Sequence, residues 1–84
     1  MAKKTRIMQK VLSGRADSNI PFANLLSLLK SLGFDHRQSG SHHILTKSGI
    51  RDRINLQEDG THAKAYQVRQ VRKTLITNQL ISNE

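Results

Sequence analysis

The chain has no cysteine and no tryptophan, a single proline, and only two phenylalanines and one tyrosine. Without cysteine, neither a disulfide framework nor a thiolate metal site can form, and thiol redox chemistry is excluded. An aromatic content of 4% leaves little for the stacking of unpaired bases, which weighs against sequence-specific capture of single-stranded nucleic acid. Long apolar runs are also missing: the richest stretch, around Leu25 to Leu29, is far shorter than the roughly 18–20 residues that span a bilayer. No apolar signal core or cleavage site follows the basic opening MAKKTR. The expectation is a cytoplasmic protein with no membrane partner.

Acidic residues are scarce as well, 6 against 14 lysines and arginines, for a formal net charge of +8. The basic residues recur along the whole chain rather than in one tail. Such a surface suits a polyanion, either RNA or DNA, or an acidic protein that covers it; basicity for solubility alone is the plainer reading. At 84 residues the chain is one small domain, and chains of this size bury only about 60–65% of their extended surface.

Periodicity divides the chain into elements. TRIMQKVLSG sets Ile7, Met8, Val11 and Leu12 on one side of a short helix that Gly14 would stop. RADSNIP reads as a linker. In PFANLLSLLKSLGF, Phe22, Leu25, Leu26, Leu29 and Leu32 recur at helical spacing, with Pro21 suited to the start and Gly33 to a left-handed C-cap. Three short strands follow, at about Phe34–Gln38, His42–Lys47 and Arg51–Gln57, and their short connections favour an antiparallel meander. AKAYQVRQVRKTLI is a last helix with Ala65, Val68, Val71 and Leu75 inward and Thr61 as a candidate N-cap. Arg69, Arg72 and Lys73 flank that stripe as one exposed basic edge. The tail SNE is expected to fray. The resulting fold class is α+β: an α-β-β-β-α unit over 22–81 with its helices on one face of the sheet, preceded by a helical extension and linker over 1–21.

The stretch RQSGSHHILTK carries two of the four histidines. Alternation turns His42, Ile44 and Thr46 to one face of a strand and His43, Leu45 and Lys47 to the other. Placing Lys47 in the core would strand an ammonium, so Ile44 is expected inward and His43 outward, beside Lys47 and near Arg51 or Arg53. A neutral imidazole next to a ribose 2′-hydroxyl can take its proton as the oxygen attacks phosphorus, and Arg or Lys can stabilise the charge on the phosphorane oxygens. RNA supplies its own nucleophile, so no metal or other cofactor is called for. His36 and His62 are available as ligands, but without cysteine or a helical histidine pair they make a poor zinc site. A serine hydrolase built on Ser41 lacks a nucleophile-elbow motif.

An amphipathic helix ending in LLKSLGF, then RQSGSHHI, then a short strand and a basic helix resembles the HicA family of bacterial toxins, over about Phe22 to Ile81. The resemblance implies a double-stranded-RNA-binding-domain-like fold and an mRNA interferase, the toxin of a type II toxin–antitoxin system, masked by a HicB-like antitoxin protein. It also implies that His43, last in Gly40-Ser41-His42-His43, is the catalytic histidine. Arg37, Lys47, Arg51 and Arg53 would then position phosphate, and Arg69, Arg72 and Lys73 would dock more distant RNA backbone. The chain departs from the family in its N-terminal extension and in INLQEDGTHAKAYQVRQV, where many members carry a VPRH-like segment. The alternative function is a non-catalytic RNA-binding module.

Overall fold

In a computed structural model, which describes residues 2–80, the chain forms three helices and one three-stranded sheet in the expected order α-α-β-β-β-α. The tail expected to fray lies outside the described residues.

The first helix, α1 (Ala2–Ser13), ends where Gly14 adopts a φ of 74°. It adds Ile7 and Val11 to the core and packs on both of the other helices. The second, α2 (Phe22–Ser31), starts after Pro21, whose φ of −60° and ψ of 138° keep the chain extended. Proline suits this place because a helix's first N–H groups have no intrahelical acceptor. At the other end Gly33 takes a φ of 97°. Its N–H donates to Lys30 O at 3.0 Å, and Phe34 N–H donates to Leu29 O at 3.1 Å. This is the Schellman pattern, and it turns the chain directly into the sheet.

The sheet is an antiparallel meander of β1 (Asp35–Ser39), β2 (His42–Thr46) and β3 (Ile54–Gln57), with β2 in the middle. Ser39 pairs with His42, so Gly40 and Ser41 alone make the first turn. Gly40 has a φ of 60° and Ser41 does not share the positive φ, as in a type II′ turn, which places glycine first.

Register decides the faces. Gln38 faces His43 and His36 faces Leu45 across β1–β2, while His43 faces Leu56 and Leu45 faces Ile54 across β2–β3. Directly paired residues share a face. His43, Leu45, Ile54 and Leu56 are all at most 3% exposed, so this is the face under the helices. The opposite face carries Arg37, Ile44 and Asn55. The expected orientation of β2 is therefore inverted: His43 points inward and Ile44 outward. The premise that misled was Lys47. It lies just past β2 and crosses the bare backbone of Gly33, where a methyl group would sit 2.6 Å from its Nζ. The C-terminal end of α2 is a favourable place for a cation, and Lys47 reaches it without entering the core.

The third helix, α3 (Ala65–Thr77), buries Val68, Val71 and Leu75. Its N-cap is Lys64 rather than Thr61, whose Oγ1 lies 3.0 Å from His62 Nδ1. Buried Gln67 ties the helix start to the sheet: its Oε1 accepts from Lys64 N–H at 3.2 Å and its Nε2 donates to Gln57 O at 3.0 Å. Two backbone bonds, Phe22 N–H to Thr61 O at 2.9 Å and Ala63 N–H to Ile20 O at 2.8 Å, join the segment before α2 to the segment before α3. Burial of one leucine such as Leu45, fully enclosed here, contributes about 1.5–3 kcal/mol.

Candidate acid–base site

His43 sits mid-sheet under the first residue of α2, its ring tilted 59° to that of Phe22 with centroids 5.0 Å apart. An enclosed imidazole needs partners for both nitrogens, and His43 has them. Nε2 lies 3.1 Å from Glu58 Oε1, and Nδ1 lies 2.8 Å from His36 Nε2. The two imidazoles lie within 8° of parallel with centroids 5.0 Å apart. Their nitrogens are closer than the spacing of stacked aromatic rings, so the rings meet edge to edge along the hydrogen bond.

Each partner is placed by the backbone. Glu58 follows β3 directly, and its N–H donates to Ser41 O at 2.8 Å, extending the ladder past the strand. Its side chain is half exposed, against 3% for His43. His36 lies on the edge strand β1, two residues from the pairing partner of His43 and on the same face. Burial, then Lys30 of α2, then His43 hold its pKa below the ordinary imidazole value of 6.5. His36 is therefore in its basic, neutral form at pH 7. Among the described residues no buried side-chain nitrogen or oxygen lacks a partner, and no three acidic or imidazole side chains converge as metal ligands.

The predicted phosphate-positioning residues divide into groups. Arg37 and Arg53 line one cleft of about 510 Å³ together with Asp35, His36, Ile44 and Thr46. Arg51 and Arg53 lie in the loop before β3 rather than within a strand, and both are exposed. Lys47 stands apart, over Gly33. On α3, Arg69 and Lys73 are exposed, but Arg72 is not part of a free basic edge. Its guanidinium donates twice to the Asp17 carboxylate, at 2.9 and 3.2 Å, and once to Val11 O at 3.0 Å. It is a clamp between α3, α1 and the linker, because the acid that neutralises it lies in a distant part of the chain.

Sequence reasoning missed Glu58 and the role of His36. A signal for both was present in the turn. A two-residue Gly-Ser turn pairs Ser39 with His42, and counting outward puts His36 diagonally beside His43 on one face. The same counting across β3, from the pair His43–Leu56, brings Glu58 to that face. No family model, curated protein or solved structure matches this chain.

Proposed function

We propose that the protein is an mRNA-cleaving toxin of the HicA kind, a metal-independent endoribonuclease centred on the His43 imidazole. The observation that carries the reading is the placement of His43. It bonds a carboxylate at one nitrogen and a second imidazole at the other, in a chain of net charge +8. Carboxylate and imidazole in series are the components of general acid–base catalysis. Arg37 and Arg53, which share a cleft on the open face of the sheet, supply cations for phosphate backbone. The α-β-β-β-α order agrees with a double-stranded-RNA-binding-like fold, and the basic surface suits an acidic, HicB-like antitoxin in the cytoplasm.

The test is incubation of the purified protein with mRNA in EDTA beside His43→Ala. Cleavage by the wild type and none by the variant supports the reading; equal cleavage by both removes His43 from the mechanism. One observation favours a second reading, a non-catalytic RNA-binding module: His43 is 3% exposed and both its nitrogens are engaged, as in a structural core histidine. That reading expects salt-dependent RNA binding with no cleavage products.

A further inference from the structure

Glu58, His43 and His36 form a series that runs from a solvated carboxylate, through an enclosed ring, to a ring at the sheet edge. We propose that His36 is the imidazole that meets the substrate, and that Glu58 and His43 are positioning residues that fix which nitrogen of His36 carries its proton. This rests on the RNA-cleaving reading above and changes which ring does the chemistry.

The bonding dictates the tautomers. An ionised carboxylate only accepts, so His43 Nε2, 3.1 Å from Glu58 Oε1, carries a hydrogen. Neutral His43 then has its lone pair on Nδ1. The donor facing that lone pair is His36 Nε2, at 2.8 Å, so neutral His36 is protonated on Nε2 and has its lone pair on Nδ1. Among the described residues, His36 Nδ1 makes no hydrogen bond, and His36 hydrogen-bonds only through Nε2. His43, under Phe22 and bonded at both nitrogens, offers substrate nothing unless the series is broken. His36 lies on the edge strand, its unbonded Nδ1 is open to solvent, since no enclosed side-chain nitrogen among the described residues lacks a partner, and Lys30 of α2 stands beside it as a cation. The charged and titratable groups facing it are Lys30 from α2 and His43 from β2, with Glu58 acting through His43.

The step balances with water as the only co-reactant. His36 Nδ1 takes the proton of the ribose 2′-hydroxyl, and the 2′ oxygen forms a bond to phosphorus. The bond from phosphorus to the 5′ oxygen breaks, and that oxygen keeps the electron pair and takes a proton from water. The products are a 2′,3′-cyclic phosphate and a 5′-hydroxyl. The imidazolium is stabilised through its Nε2–H, by His43 and the Glu58 carboxylate, until it releases its proton to solvent. Glu58 does not itself become protonated. It acts by tautomer and charge, as the orienting carboxylate of a catalytic triad does.

The full chain decides this in two arms. In the first, without RNA, imidazole ¹⁵N spectra at pH 7.5 should show both His36 and His43 protonated on Nε2; a His43 protonated on Nδ1 overturns the series. In the second, cleavage of mRNA in EDTA should fall about 100-fold or more in His36→Ala, the scale of a lost general base. It should fall as far in His36→Gln, whose amide keeps the donor to His43 and so guards against misfolding. Glu58→Ala should lose about 10-fold, with the acid limb of the pH–rate profile displaced to lower pH because an imidazolium without its carboxylate is a stronger acid. His36 variants that cleave like the wild type overturn the inference while leaving the RNA reading standing. A wild type that cleaves no RNA overturns the RNA reading and with it the catalytic role of His36, while the ¹⁵N arm still decides the tautomer series.

Discussion

Two polar clusters that contain charged or titratable groups border the core, and they are built on opposite principles. Arg72 and Asp17 form a closed unit. Their bonds, and that of Arg72 to Val11 O, all run between parts of the chain, and both side chains are at most 21% exposed. Glu58, His43 and His36 form an open one, with a solvated carboxylate at one end and a lone pair without a hydrogen bond at the other. The closed cluster spends its groups on holding α1, the linker and α3 together. The open cluster has both ends reaching solvent, so Glu58 and His36 can lose the His43 ring between them and rehydrate. Closure suits a fastening; on the proposed RNA-cleaving reading, the open end is the group left for chemistry.

The sharpest test of that contrast is stability. Asp17→Ala leaves the Arg72 guanidinium uncompensated and is expected to cost about 2–3 kcal/mol in urea denaturation, with RNA cleavage per folded molecule unchanged. Adding Arg72→Met to Asp17→Ala should recover part of that loss, because the stranded charge is gone. His43→Leu should shift stability by no more than about 1 kcal/mol in either direction, since an apolar side chain of similar size replaces a buried polar one. Cleavage should nevertheless vanish. A destabilisation as large as that of Asp17→Ala would make the histidine cluster a fastening too.

A smaller effect belongs to the cleft. Arg37→Ala with Arg53→Ala should reduce the slope of log binding constant against log salt by about 1.4, at roughly 0.7 per single-strand phosphate contact. An unchanged slope would show that RNA does not touch that face. Smallest is the pH dependence of folding. Because the pKa of His36 in the folded chain lies below its ordinary value of 6.5, the unfolded chain binds the proton more readily. Its contribution to stability is fully present above pH 6.5, declines as pH falls below that, and levels off beneath the folded value. His36→Gln should flatten this decline in urea midpoints measured between pH 7.5 and 5.

Much of the frame was legible in the sequence because local physics determines it. The stripe of α2 and its Gly33 cap follow from short-range spacing, and the strands fall between glycine-bearing turns. What was misread depended on distance. Ile44 and Leu45 are equally apolar, so β2 could not declare its inner face; the pairing of His43 with Leu56 and of Leu45 with Ile54 declares it. Arg72 reads as an exposed cation until the fold brings Asp17 to it across 55 residues of chain. Glu58 is an unremarked loop acid until the ladder continues past β3.

The backbone bonds that join Ile20 to Ala63 and Phe22 to Thr61 have a mechanical consequence. They close the chain between Pro21 and His62 into a noose that contains α2 and the whole meander, while α1 and α3 lie outside it and are held together by the grip of Arg72, which bonds Val11 O of α1 and Asp17 of the linker. Tension applied to the two ends of the chain then passes through that grip and the neck of the noose, leaving the sheet slack. Pulled by its termini, the molecule is expected to part first between α1 and α3, then at the neck, and to unzip its strands last.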